Sequence, residues 1–390
     1  MADQLTQLLK GIENIIPQDE FIQALRQGKH FNIKFGADPS APDLHLGHLV
    51  VLRKLRQFQD AGHSVTFIIG DFTARIGDPT GKNETRPAID PQAVKRHAET
   101  YQKQVFRVLD PQKTTVVYNA VWLDALKPVD ILQLMAKSTV AQLLERDDFQ
   151  KRFLAQHPIG LHEFLYPILQ GYDSVHLKSQ VEMGGSDQTF NMLMGRQLQK
   201  ALGQTQQFVL TLPLLEGLDG TQKMSKSLGN HVAFNDSAVD QYGKIMSLPD
   251  ALMERYFLLL TDAAEADVKR WIKEEHPKNL KQRLARTLTG MFYAPAEAEA
   301  AETHFETVFS QRETPTDMPA IVLRQVTPLL DLLTLHGEVP SRSEAKRLVQ
   351  SGAVSLDGEK MTDIQCNITP QTQPQVLKIG KRKFFKLTFD

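Results

Sequence analysis

Leu49, Leu52, Leu55 and Phe58 recur every three positions with Val51 beside them, predicting an amphipathic helix from about Leu44 to Gln59. Before it, Phe31 to Gly36 reads as a short strand that runs into the turn Ala37-Asp38-Pro39-Ser40-Ala41-Pro42-Asp43. Ala61-Gly62 ends the helix, and Ser64 to Ile69 is an apolar run rich in β-branched residues, a second strand. Strand, turn, helix and strand make a βαβ unit of the dinucleotide-fold type. From about Ala88 to Ser179 the pattern is mainly helical, punctuated by Pro128, Pro158 and Pro167. Phe208 to Leu212 reads as another buried strand, closed by Pro213, which cannot donate to a ladder.

This order predicts an α/β protein whose Rossmann-type domain spans residues 1–230, with a helical insertion over about 88–179. Beyond Asn230 the pattern is amphipathic and helical to about Leu333, with a looser segment from Thr314 to Pro319, giving an α-helical domain over 231–334. Residues 335–390 form a small α+β unit. Ser341 to Glu344 has the S-x-x-E form of a capping box, opening a helix that Gly352 can close, and Asp357-Gly358 is a hairpin signal.

Composition narrows the chemistry. The 390 residues carry a formal net charge of -1, so a nucleic-acid partner has to be met by a local patch. Residues 340–390 supply one, with nine bases against five acids. Cys366 is the only cysteine, which excludes an intrachain disulfide and a thiolate metal cluster and fits a reducing cytoplasm. The acid-bearing start lacks the apolar core of a signal peptide, and no run of about 18 apolar residues predicts a membrane span.

Two short motifs carry most of the chemical information: His45-Leu46-Gly47-His48, and, 175 positions later, Lys223-Met224-Ser225-Lys226-Ser227. His45 and His48 share one helix face at a helix start, where anions are favoured, although solvated or metal-binding histidines would show the same spacing. Gly47 costs helix stability, which makes sense if a ligand approaches the backbone there. Glycines bracket the lysine–serine core from Gly220 to Gly229, which suits either a lid with two ammonium groups or an ordinary charged loop. Imidazoles and ammonium groups together are suitable counter-charges for a polyphosphate.

Three further stretches add detail. Gly77-Asp78-Pro79-Thr80-Gly81-Lys82 is not a P-loop, because the spacing is G-x-x-x-G-K and Asn83 replaces the required Ser or Thr. Lys82 and Arg86 remain available to phosphates, or form a solvated basic turn. Tyr166, Gln170 and Asp173 share a polar face of an otherwise apolar helix, either a water-facing stripe or a binding face. Gly184-Gly185-Ser186-Asp187-Gln188 reads as a turn or a nest of amides, with Asp187 able to bind ribose hydroxyls.

The joint occurrence of F-G-A-D-P-S-A-P-D-L-H-L-G-H, I-G-D-P-T-G-K, Y-P-I-L-Q-G-Y-D, G-G-S-D-Q and K-M-S-K-S resembles the bacterial tyrosyl-tRNA synthetases, members of class I, over essentially the whole chain. That resemblance implies ATP and L-tyrosine as substrates, Mg2+ bound with the phosphates, tRNA(Tyr) as partner, no protein-held metal, a homodimer through the helical insertion, and no membrane. The 231–334 domain would recognise the anticodon, and 335–390 would be an S4-like RNA-binding domain with Arg342, Lys346 and Arg347 on its helix. The resemblance assigns Asp78, Tyr166 and Gln170 to the tyrosine ammonium, Asp173 to its phenolic hydrogen and Gln188 to support of the pocket. Gly36, Asp38, Gly185 and Asp187 would line the nucleotide and carboxylate region. Ser40, His45, Gly47, His48, Lys82, Arg86, Lys223 and Lys226 would address ATP. The family's best-known form has a tyrosine where this chain has Lys34, and many of its members lack an intact K-M-S-K-S. These two departures resemble the second bacterial subtype, and they set Lys34 near Asp173 as an electrostatic substitute. The sister tryptophanyl enzymes share both ATP motifs, but a buried carboxylate suits a phenol. A non-catalytic RNA-binding descendant would not need both ATP motifs.

Overall fold

Six strands form one sheet: β1 (Asn14–Ile16), β2 (Asn32–Ala37), β3 (Ser64–Ile69), β4 (Thr114–Tyr118), β5 (Val181–Gly185) and β6 (Phe208–Leu212). In this computed structural model, which describes residues 2–79, 91–310, 318–323, 325–335, 339–369, 371, 373–380 and 383–389, their order is β1-β6-β5-β2-β3-β4. All neighbours are parallel except β1, which pairs antiparallel with β6. Ile33, Phe35, Val65 and Phe67 on one face, and Lys34, Thr66, Ile68 and Val209 on the other, are all buried, as strands covered on both faces require. From β2 the chain winds one way to β3 and β4, and from β5 it winds the other way to β6. The reversal leaves a crevice beyond the carboxyl ends of β2 and β5, the usual ligand position in such sheets.

Helix α1 (Leu46–Asp60) follows β2 and turns Leu49, Leu52, Leu55 and Phe58 into the core. Helices α2 (Leu165–His176) and α3 (Thr189–Ala201) approach closely because Gly171 faces Gly195. A Cβ on Gly171 would stand 3.1 Å from the Gly195 amide nitrogen.

The predicted insertion is not wholly helical. Thr114-Thr115-Val116-Val117-Tyr118 extends the sheet as β4, pairing Val65 with Thr114 through Ile69 with Tyr118. Its β-branched residues suit a strand, and packing against β3 decides the matter.

The chain divides into two compact units, Met1–Ser237 with Lys244–Phe292 and Ala238–Gly243 with Tyr293–Asp390. The expected helical domain over 231–334 is therefore shared out. Helix Met253–Leu260 packs on α1 within the first unit. In the second unit, β7 (Ala320–Leu323), β9 (Val354–Leu356), β10 (Glu359–Lys360), β12 (Gln375–Ile379) and β13 (Lys383–Phe389) form a sheet ordered β10-β9-β12-β13-β7, with a separate pair β8 (Thr327–Pro328) and β11 (Asn367–Ile368). Helices α4 (Leu329–Leu335) and α5 (Arg342–Gln350) accompany it.

One core joins Ile321, Leu323, Leu329, Leu332 and Leu333 to Val349, Val354, Leu377 and Leu387. The expected boundary at 334/335 cuts that core, because residues 320–323 are a strand paired with β13 and not the end of a helical run. The local signals hold in part. Ser341 Oγ accepts the Glu344 amide at 3.2 Å, but the Glu344 carboxylate pairs with Arg347 and does not complete the capping box. Asp357 and Gly358 have φ of 51° and 88°, as a tight hairpin turn requires.

Candidate active site

The crevice beyond β2 and β5 is a cleft of about 1020 Å³. Among the described residues it gathers Lys34, Gly36, Asp38, Ser40, His45, Gly47, His48, Asp78, Tyr166, Gln170, Asp173, Gly185, Asp187, Gln188, Lys223 and Lys226. Lys82 and Arg86 lie outside the described residues. Arg342, Lys346 and Arg347 stand exposed on α5 in the second unit, where Arg342 pairs with Asp331 and Arg347 with Glu344.

At one end, the start of α1 is capped by its own histidines. The Gly47 amide donates to His45 Nδ1 at 3.2 Å, and the His45 amide donates to His48 Nδ1 at 3.2 Å. Each ring, if neutral, therefore carries its proton on Nε2. Burial lowers both pKa values, helped by neighbouring positive charge, and His48 falls to about 4. The pair is thus neutral near pH 7 and offers N–H donors. This corrects the expectation of two cationic imidazoles: desolvation outweighs the anion-friendly helix start. Gly47 has a structural reason as well, since a Cβ there would stand 2.9 Å from the His45 ring.

The lysine loop folds over the same end. Lys223 Nζ pairs with Asp187 at 2.8 Å and Lys226 Nζ with Asp43 at 3.6 Å. Asn230 ties the loop together, accepting the Ser225 amide at 2.8 Å and donating to Asp219 at 2.8 Å. Met224 is buried beneath it.

At the other end, α2 carries Tyr166, Gln170 and Asp173, and the face they share lines the cleft instead of bulk water. Asp173 is buried, accepting from Trp122 Nε1 at 2.8 Å and from Asn119 Nδ2 at 3.3 Å. Desolvation raises its pKa to about 6, against the lowering effects of Lys34 and of these two hydrogen bonds. Asp38 accepts from Thr73 Oγ1 at 2.7 Å and from Tyr166 at 2.9 Å. Its pKa is pushed up to about 7, chiefly by burial and also by the Asp78 and Asp173 charges. Asp78 pairs with Arg146 at 3.1 Å and accepts from Gln188 Nε2 at 3.0 Å. Asn191 bridges Gln170 and Gln188 at 3.0 and 2.9 Å.

Lys34 does not contact Asp173. Its ammonium is directed at Glu182, Ser174 and the Gln170 carbonyl. Sequence reasoning missed Thr73, Asn119, Trp122, Arg146 and Glu182, isolated residues from four separate segments. A weak signal lay in Gly70, directly after β3, where a Cβ would overlap the Asp38–Thr73 hydrogen bond.

A cleft with a neutral histidine cap, two loop lysines and a carboxylate-lined pocket can place a polyphosphate beside a small zwitterion. Residues 26–310 match the family described as tRNA synthetases class I (W and Y), and residues 310–387 match the Tyrosine--tRNA ligase SYY-like C-terminal domain. The chain belongs to the class I tRNA synthetases.

Relatives of this synthetase agree over full length. The tyrosine–tRNA ligase of Thermotoga maritima is 47% identical over 99% of this chain and 97% of its own. That of Desulfotalea psychrophila is 48% identical over 100% and 98%. The synthetase also shares its fold with a C-terminally truncated mitochondrial tyrosyl-tRNA synthetase of Aspergillus nidulans (TM-score 0.66, 21% identity, 79% of this chain and 93% of that one). A tyrosyl-tRNA synthetase of Archaeoglobus fulgidus complexed with L-tyrosine gives a TM-score of 0.62 at 21% identity, over 77% and 99%.

Proposed function

We propose that this synthetase is a tyrosine–tRNA ligase of the second bacterial subtype. It joins L-tyrosine to ATP as tyrosyl-adenylate and then transfers tyrosine to the 3′ end of tRNA(Tyr). The observation that carries the amino-acid choice is Asp173, a buried carboxylate held by Trp122 and Asn119 inside the pocket. A phenol supplies the missing donor, and a phenyl ring leaves the carboxylate short of one.

In the first step the tyrosine carboxylate attacks the α-phosphorus, its new P–O bond forming as the bond to pyrophosphate breaks. In the second, a terminal ribose hydroxyl of the tRNA attacks the acyl carbon and AMP leaves. No protein nucleophile is required, so the residues act by position and by stabilising charge on phosphate oxygens. Asp78, Tyr166 and Gln170 receive the ammonium. A carboxylate accepts several donors, so Asp78 can do this while it keeps Arg146 and Gln188. His45 and His48 donate Nε2–H to phosphate. Lys223 and Lys226 exchange their present carboxylate partners, Asp187 and Asp43, for the polyphosphate. Lys82 and Arg86 join them from the segment between β3 and the helix Pro91–Val105. Gly36, Ser40, Gly47 and Gly185 leave room for the nucleotide, and Asp38 and Asp187 face its ribose and the reacting carboxylate.

Magnesium enters with ATP. Phosphate oxygens and water would be its ligands.

Tyrosyl-tRNA formation tests the proposal. Charging of tRNA(Tyr) with labelled tyrosine is expected, and charging of a tryptophan tRNA in its place would refute it. Arg342, Lys346 and Arg347 would contact tRNA backbone from α5, and the helices before β7 would take part in anticodon recognition. The working state is a homodimer: Val121, Leu132, Val140, Phe153, Leu154 and Leu161 are each more than half exposed and cluster between residues 121 and 161. Leu134 of the same stretch turns inward instead. Sedimentation should find a dimer that Leu132→Glu with Leu161→Glu dissociates, and a wild-type monomer would contradict this. Among the described residues no helix is long and apolar enough to cross a membrane, and the cytoplasm is where we place the enzyme.

A further inference from the structure

Lys34 and Glu182 are opposite charges in the interior of a sheet, 2% and 3% exposed. They are partnered positions on β2 and β5, so their side chains rise side by side on the face that α2 covers. Lys34 Nζ donates to Glu182 Oε1 at 2.9 Å, to Ser174 Oγ at 2.7 Å and to the Gln170 main-chain oxygen at 3.1 Å. Those acceptors use all three of its donors, leaving none for a ligand hydroxyl. Glu182 is satisfied in turn by Ser174 Oγ at 3.0 Å and by Gln207 Nε2. A buried ion pair is a weak way to stabilise a sheet, where apolar residues of similar size serve as well or better. Its placement points to another use. It grips the turn of α2 between Gln170 and Ser174, which contains Asp173.

We propose that Lys34 and Glu182 form a positioning pair for hydroxyl recognition: Lys34 fixes the Gln170–Ser174 turn against β2, and the two opposed charges together set how firmly Asp173 accepts the substrate hydroxyl. The inference rests on the tyrosine reading of the site. Lys34 from β2 favours the carboxylate form of Asp173, and Glu182 from β5 opposes it. Asp38, at the end of β2, adds a second negative charge nearby. Asn119 and Trp122 are neutral donors, and His176 stacks on Trp122 with 4.6 Å between ring centres.

The test compares wild type, Lys34→Met, Glu182→Gln and the double variant in the full chain, by tyrosine-dependent ATP–pyrophosphate exchange as a function of pH. Lys34→Met should move the acid limb of kcat/KM up by about one pH unit, and Glu182→Gln should move it down by a similar amount. The double variant should return towards wild type. A role in stability alone lowers activity without moving the two limbs in opposite directions. If Lys34→Met does not fold, the near-isosteric Glu182→Gln decides alone: a downward shift supports the pair, and an unmoved limb overturns it. Exchange by the wild type with unmoved limbs in every variant overturns the pair and spares the tyrosine reading. Absence of tyrosine-dependent exchange in the wild type overturns both.

Discussion

Replacing Asp173 with Asn isolates the contribution of one carboxylate to amino-acid choice. The amide keeps an acceptor for Trp122 Nε1, now at 2.8 Å, but turns a donor towards either Asn119 or the substrate hydroxyl. A hydrogen bond to a charged group contributes about 1.5–3 kcal/mol. At about 1.4 kcal/mol per tenfold, its loss lowers kcat/KM for tyrosine by roughly 10- to 150-fold. Phenylalanine behaves differently. In the wild type it leaves a desolvated carboxylate without its third donor, and the substitution relieves part of that penalty. The tyrosine-to-phenylalanine ratio should therefore fall by more than the tyrosine value alone. ATP–pyrophosphate exchange with each amino acid gives both constants, and thermal unfolding checks that the variant is folded. A folded Asp173→Asn enzyme with an unchanged ratio would refute the reasoning.

Three further outcomes follow from the same geometry. Asp173, raised to about 6, must be ionised to accept the phenolic hydrogen as described, so kcat/KM for tyrosine should be full above this value and fall as pH drops through it; a profile flat from pH 8 to 5 contradicts this. Lys223→Ala and Lys226→Ala should each depress the exchange kcat while leaving the tyrosine dissociation constant nearly unchanged, because these groups meet the polyphosphate and not the amino acid; loss of tyrosine binding would show the loop assignment to be wrong. Truncation after residue 318 should spare exchange and weaken tRNA charging, whereas truncation after residue 335 strands Ile321, Leu323, Leu329, Leu332 and Leu333 without the rest of their core and should cause aggregation; equal charging by the shorter protein and the full chain would remove the second unit from tRNA binding.

Much of the first unit was legible in the sequence because local and tertiary preferences agree there. The period-three leucines of α1 and the β-branched run of β3 fold as their patterns predict. The second unit was legible at its turns, where Ser341 caps a helix with its own side chain and Asp357 and Gly358 turn through their own backbone. β4 was missed because five β-branched or aromatic residues among helices announce a strand only once β3 lies beside them. β7 was missed for the same reason, its partner being over sixty residues away on β13. The candidate site was legible wherever the chemistry sits in a contiguous motif. It was not legible where one side chain serves another across the sheet, as Trp122 and Asn119 serve Asp173 and Glu182 holds Lys34. Charge state was the least legible of all: His45 and His48 read as cations until their burial is known.

The most direct test of tyrosine activation at this cleft is ATP–pyrophosphate exchange by the purified full-length chain, with tyrosine, tryptophan and phenylalanine supplied in turn. Strong exchange with tyrosine, and little with the other two, is the predicted result. Exchange driven best by tryptophan, or by no amino acid, would contradict it.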